Sequence, residues 1–65
     1  MYTTYWWGIN DVNSELCGEE FFTELATDSK EAHKTYVHDL FPNEKVTCYG
    51  RVSEAEAEMM GLDTY

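Results

Sequence analysis

Basic residues are scarce in this chain, which has four lysines and arginines against thirteen acids among its 65 residues. The formal net charge is −9. Proteins that bind nucleic acid use lysine and arginine to replace counterions on the phosphates, and few are present here. We therefore expect no direct binding of DNA or RNA and no attachment to an anionic membrane. A basic protein is the partner class that this charge favours.

Cysteines and long apolar runs are also few. Cys17 and Cys48 are too few for the disulfide scaffold of a small secreted protein. No stretch reaches the roughly 18 apolar residues that a membrane span needs. The first residues lack the basic and then apolar pattern of a signal peptide. These features predict a cytoplasmic protein whose thiols are reduced.

The chain has one proline and four glycines, whereas aromatic residues make up 15% of it. This composition favours an ordered chain over a disordered one, despite the charge. A chain of this length buries only about 60% of its unfolded surface, so its core is small. We expect residues 1–65 to form a single small α+β domain with a largely aromatic core.

Three segments have the pattern of strands. Tyr2–Ile9 is aromatic, β-branched and uncharged, and the adjacent Trp6 and Trp7 point to opposite faces, as in a central strand. Glu19–Thr27 is predicted as a second strand, although a helix is the alternative there. Lys45–Val52 alternates most clearly, with Val46, Cys48, Gly50 and Val52 on one face.

Two segments have the pattern of helices. The first is predicted to be capped by Asp28, with Glu31 three residues later, and to end before Pro42. Its apolar stripe comprises Ala32, Tyr36, Val37, Leu40 and Phe41. The second follows a capping box, Ser53 with Glu56, and ends at Gly61. Its inward residues are expected to be Ala55, Met59 and Leu62.

The element order is therefore β-β-α-β-α. A crossover through the first helix makes the second and third strands parallel. The first strand fits between them, which predicts a three-stranded mixed sheet of order 2-1-3. The main helix covers one face of this sheet, and the short C-terminal helix packs on an end or on part of the other face.

Residue types alone allow a metal site or a nucleophile at Cys17, Cys48, His33 and His38. Zinc sites use close ligand pairs such as Cys-x2-Cys, and no such spacing is present. A reactive thiolate needs an electropositive setting, which this acidic chain does not favour. We expect no metal, no cofactor and no catalytic residue. The expected arrangement is one buried thiol, one loop thiol and two surface histidines.

The aromatic sheet face is the first candidate for a functional surface, because one helix covers only one face of a sheet. Exposed aromatic patches mark interfaces. The candidate residues are Tyr5, Trp6, Trp7, Phe22 and Tyr49. The alternative is that the second helix and the tail, through Met59, Met60, Leu62 and Tyr65, cover this face.

The acids are the second candidate surface. In charge and size the chain is similar to the small acidic inhibitors of phages and mobile elements, which imitate the phosphates of DNA. Glu19, Glu24, Glu54 and Glu58 are the residues that could cluster for this purpose. The alternative is ordinary solubilising charge.

These patterns predict a non-enzymatic protein-interaction module that binds itself or a basic protein. A homodimer through a sheet edge or the aromatic face is one such arrangement. The alternative function is an acidic inhibitor of a basic nucleic-acid-handling protein. A small-ligand carrier would need an enclosed cavity lined by Trp6 or Trp7.

Overall fold

The chain forms a mixed sheet and two helices in the computed structural model, which describes every residue from Met1 to Tyr65. The elements are β1 (Thr3–Ile9), β2 (Glu20–Leu25), α1 (Lys30–Leu40), β3 (Val46–Val52), α2 (Glu54–Met60) and β4 (Asp63–Thr64). The expected α+β class is confirmed. Neither helix has the length and apolar character that crossing a membrane requires.

The sheet has four strands in the order β3-β1-β2-β4, so the predicted count of three strands and the predicted full order are wrong, although β1 has the two neighbours that were predicted for it. Strand β1 lies between β2 and β3 and is antiparallel to both. The fourth strand, β4, runs parallel to β2, opposite Phe21 and Phe22. A strand of two residues shows no alternation of apolar and polar side chains, which is why the pattern did not predict it.

One face of the sheet packs against α1 and holds the main core. Tyr5, Trp7 and Ile9 of β1 lie there with Phe21 of β2 and Val37 of α1. Phe41, Val46 and Cys48 pack around this cluster. Three of these five central side chains are aromatic, in agreement with the expected aromatic core.

Helix α1 is rotated relative to the predicted stripe. His33 and Val37 are buried, whereas Ala32 and Leu40 are exposed. His33, Val37 and Phe41 follow one another at intervals of four, which places them on one side of the helix. The prediction is confirmed for Val37 and Phe41 and wrong for Ala32 and Leu40. It counted only apolar residues, whereas a histidine occupies the central inward position.

The cap of α1 also differs from the prediction. The Ser29 hydroxyl accepts a hydrogen bond of 3.2 Å from the Ala32 N–H, which makes Ser29 the N-cap in place of Asp28. The Asp28 carbonyl instead accepts a 2.9 Å hydrogen bond from the Tyr5 hydroxyl. This bond ties the start of α1 to the central strand.

Strand β3 contains a β-bulge. Trp7 pairs with Cys48 but Trp6 pairs with Gly50, so Tyr49 is the extra residue. Gly50 has φ +124°, a conformation that residues with a Cβ rarely adopt. The bulge turns Tyr49 away from the core.

The bulge also divides the predicted apolar face of β3. Val46 and Cys48 pack against the core, as expected from the alternation. Beyond the bulge, Gly50 and Val52 pair with Trp6 and Thr4, which point to the opposite face. The prediction that all four residues share a face is therefore wrong.

Helix α2 begins and ends as predicted. The Ser53 hydroxyl accepts from the Glu56 N–H, and the Glu56 carboxylate accepts from the Ser53 N–H, each at 3.1 Å. Gly61 closes the helix with φ +66°. No α2 residue is fully buried, and the helix is capped at both ends.

Candidate functional site

The sheet face opposite α1, which we name the outer face, consists of three rows of side chains that cross β2, β1 and β3. The rows are Glu24–Thr4–Val52, Phe22–Trp6–Gly50 and Glu20–Gly8–Thr47. They alternate along β1 with the core residues, which is why they point the other way. The outer face therefore combines carboxylates, threonines and aromatic rings.

Trp6 and Tyr49 form an aromatic pair on the outer face. Their ring centroids lie 4.7 Å apart with an interplanar angle of 51°. The Trp6 Nε1–H donates a 3.1 Å hydrogen bond to a Glu20 carboxylate oxygen. Tyr49 is 49% exposed, so the pair offers an accessible ring with a fixed neighbour.

Gly8 makes the position of Tyr49 possible. A Cβ at Gly8 would lie 2.6 Å from both Cε2 and the hydroxyl oxygen of Tyr49, which is closer than any Cβ contact allows. The bulge in β3 and the missing side chain at Gly8 together let the Tyr49 ring lie across β1. The aromatic pair is therefore built by backbone features as well as by ring contact.

Helix α2 covers the other end of the outer face and leaves a groove of about 770 Å³, which we name the α2 groove. Its sheet side includes Thr4, Phe22 and Val52, and its helix side includes Ala57. Leu62 also lines it. Phe22 is 1% exposed beneath these residues, so the apolar base of the groove consists of the half-buried Val52, Ala57 and Leu62.

Charge is unevenly distributed in the α2 groove. Three carboxylates line it, those of Glu24, Glu54 and Glu58, against two cations, the Arg51 guanidinium and the amino group of Met1. Glu54 and Glu58 are four residues apart on α2, so they lie on the same side of the helix and repel each other. The groove is consequently negative above an apolar base.

The five aromatic candidates are divided between the two faces. Tyr5 and Trp7 are buried in the core under α1, and Phe22 is buried beneath α2. Trp6 is half-buried and Tyr49 is exposed. The accessible part of the predicted aromatic surface is thus narrowed to Trp6 and Tyr49.

The expected cover by the second helix and the tail is partial. Ala57, Met60 and Leu62 are half-buried, whereas Ala55 and Met59, expected to face inward, are exposed. The side of α2 that faces the sheet is therefore not the one that was predicted.

Tyr65, the last of the expected covering residues, packs elsewhere. It stacks on Phe21 with ring centroids 5.0 Å apart, which places it at the core side of the sheet. It contributes no cover to the outer face.

Three of the four acidic candidates meet in the α2 groove, namely Glu24, Glu54 and Glu58. Glu19 instead lines a second cavity of about 210 Å³ that also includes Ile9 and Phe41. Neither cavity is lined by Trp6 or Trp7, the feature that a small-ligand carrier was expected to show.

The candidate nucleophiles and ligands are dispersed. Cys17 is exposed in the loop after β1, and Cys48 is half-buried beside the core. His38 is exposed, but His33 is fully buried, so the expectation of two surface histidines is wrong for His33. The structure brings together no group of three or more His, Cys, Asp and Glu side chains that could hold a metal ion.

His33 belongs to a chain of hydrogen bonds inside the core. The Trp7 Nε1–H donates to the Thr23 hydroxyl at 2.9 Å, and this hydroxyl lies 2.6 Å from His33 Nδ1. His33 Nε2 lies 2.9 Å from the Thr27 carbonyl oxygen, which can only accept. The geometry therefore assigns the proton to Nε2 and makes Nδ1 the acceptor of the Thr23 hydroxyl.

The sequence pattern did not predict this network. Trp7 and Thr23 are on strands whose pairing was predicted, and His33 precedes Val37 by one helical turn. If histidine is counted among the inward-facing residues of the helix, the spacing places His33 on the buried side. Both ring nitrogens of His33 form hydrogen bonds inside the core, so neither is free to act on a substrate.

No family model, curated protein or solved structure matches this chain.

Proposed function

We propose that this chain is a non-enzymatic protein-interaction module that binds its partner on the outer face. The observation that carries the proposal is the incomplete cover of that face, where α2 buries no residue of its own fully and Tyr49 stays 49% exposed. Aromatic rings in a fixed, accessible position are frequent anchors of protein interfaces.

The placement of the reactive side chains supports a role without catalysis. His33 is occupied at both ring nitrogens by Thr23 and Thr27. Cys17 is exposed on a loop, whereas Cys48 packs against the core, so the two thiols lie in different environments. A nucleophile needs an adjacent base that is itself oriented, and these residues do not supply that arrangement.

Site-specific photocrosslinking tests the proposal. A benzophenone amino acid replaces Tyr49, and a control variant carries it at Val12, an exposed loop residue. In a lysate of the native source, we expect position 49 to capture one discrete protein and position 12 to capture none. Equal labelling at both positions, or labelling at position 12 alone, would contradict the outer face as the binding surface.

A second candidate function is inhibition of a basic, nucleic-acid-handling protein. It is favoured by the meeting of Glu24, Glu54 and Glu58 in one groove, since phosphate imitation requires acids on one side of the molecule. This function predicts that a DNA or RNA duplex added before irradiation competes for the partner and prevents its capture at position 49. An interaction module of another kind predicts that the duplex has no effect on capture.

A further inference from the structure

Building on the proposed function, we infer that the α2 groove takes a short segment of another protein that is rich in lysine or arginine. The α2 groove is one part of the outer face, and its occupant belongs to one chemical class within the protein partners proposed above. It is carried by the combination of an apolar base with acidic walls in one concave site.

The shape and size of the groove favour a short peptide segment. A volume of about 770 Å³ lies in the range of sites that enclose a small ligand or a few side chains. The half-buried side chains of Val52, Ala57 and Leu62 offer apolar contact to the stems of long side chains. Lysine and arginine place their methylene groups on such a surface while their charged ends reach nearby carboxylates.

The charge of the groove selects a cation. Glu24, Glu54 and Glu58 line it, and Arg51 and the amino group of Met1 are the two cations beside them, so negative charge stays in excess. None of the three lysines of the sequence lines the groove. Because Glu54 and Glu58 repel each other on α2, a cation between them removes a repulsion that the free protein retains.

A second copy of this chain is a poor occupant by the same reasoning. Each copy carries a formal charge of −9, so two copies repel each other. Electrostatic complementarity of an interface requires a partner surface of the opposite sign. The occupant is therefore a basic segment of a different protein.

Calorimetric titration with a defined peptide tests the inference. The probe is an eight-residue peptide, blocked at both ends, with lysine at alternate positions and valine or threonine between them. The control peptide has glutamate in place of each lysine. At low ionic strength we expect saturable binding of the lysine peptide and none of the glutamate peptide.

Two triple variants separate the groove from the general charge of the molecule. E24Q/E54Q/E58Q neutralises the groove, and E15Q/E31Q/D39N neutralises three exposed acids that line neither cavity. Each removes three negative charges. We expect the groove variant to weaken binding at least about tenfold and the control variant by less than about threefold. Amide and carboxylate side chains are of similar size, so both variants keep the fold.

Equal weakening by the two triple variants would overturn the inference, because it would show diffuse attraction to a negative surface. Absence of binding by the lysine peptide, or a dimeric mass by light scattering, would overturn it as well. The proposed function is separable from these outcomes. Capture of a protein at position 49 would still support a binding module on the outer face that lacks a basic segment in the groove.

Discussion

The Thr23 hydroxyl oxygen lies 2.6 Å from Nδ1 of His33, in a core where both residues are fully buried. The same hydroxyl accepts from the Trp7 indole at 2.9 Å. Thr23 therefore connects the central strand to α1 through polar atoms that water does not reach. Buried polar groups are costly when unpaired, which makes this small network important for stability.

Replacing Thr23 with valine should strongly destabilise the protein. Valine keeps the shape but leaves the Trp7 N–H and His33 Nδ1 without partners, at a cost of about 1–3 kcal/mol for each buried group. We expect the free energy of unfolding in urea to fall by at least about 2 kcal/mol. The control is Thr35→Val, at an exposed α1 hydroxyl that bonds to the Glu31 carbonyl, and it should change stability by less than about 0.5 kcal/mol. Equal effects of the two substitutions would contradict a buried role for the Thr23 hydroxyl.

The tautomer of His33 can be observed directly. Because Nε2 faces the Thr27 carbonyl and Nδ1 faces the Thr23 hydroxyl, the neutral ring should carry its proton on Nε2. Long-range proton–nitrogen NMR spectra should show a pyrrole-like Nε2 and a pyridine-like Nδ1 for His33. His38, which is exposed, supplies the reference for a ring in solvent. A proton on Nδ1 would mean that the network is oriented in another way.

Gly8→Ala should move Tyr49 without unfolding the chain. The new Cβ would lie 2.6 Å from ring atoms of Tyr49, and that ring can swing out because it is 49% exposed. The loss of its contact with Trp6 should cost about 0.5–1.5 kcal/mol. In a Tyr49→Ala background the same glycine substitution should be neutral or stabilising, since alanine is favoured over glycine in a strand. Additive losses in the urea denaturation of this double-mutant cycle would disprove the steric relationship.

Ser53→Ala should loosen α2 locally. Loss of a serine cap costs about 1 kcal/mol, which corresponds to roughly a fivefold change in an opening equilibrium. Since no α2 residue is fully buried, we expect amide exchange to rise about fivefold within Glu54–Met60 and little within β1. Ser14→Ala, in the loop before β2, is the control and should leave α2 exchange unchanged. A uniform rise across the sheet would show that α2 opens only with the whole molecule.

Tyr65→Ala should destabilise the core side of the sheet. The Tyr65 ring stacks on Phe21 at an interplanar angle of 13° and lies 5.7 Å from the ring of Phe41. Removing it should cost about 1–2 kcal/mol in thermal or urea unfolding. Tyr2→Ala, at a tyrosine that is 66% exposed, is the matched control and should cost less than about 0.5 kcal/mol. Similar losses from both tyrosines would contradict a packing role for the Tyr65 stack.

Local patterns predicted the elements that depend on nearby residues. The Ser53 capping box, the Gly61 stop and the three long strands all agree with the structure, because caps and alternation act over a few residues. The short strand β4 was not predictable in this way, because it forms only where β2 offers an unpaired edge.

The candidate site was predictable only in part for a similar reason. Tyr5, Trp7 and Phe22 are aromatic, as Trp6 and Tyr49 are, and only the assembled sheet decides which of these rings are covered. The bulge at Tyr49 reversed the facing of Gly50 and Val52, and the glycine within the strand pattern is the one local signal that indicates it. The meeting of Glu24 with Glu54 and Glu58 depends on where α2 folds back after β3.

The position of a bound basic peptide decides between a groove site and diffuse attraction to a negative surface. Titration of 15N-labelled protein with the alternating-lysine peptide, followed by amide chemical shifts, reports that position residue by residue. We predict saturable shifts at Thr4, Glu24 and Val52 and along α2, with α1 and the loop of residues 10–18 unaffected. Shifts that spread over α1 and that loop, or that do not saturate, would contradict binding in the α2 groove.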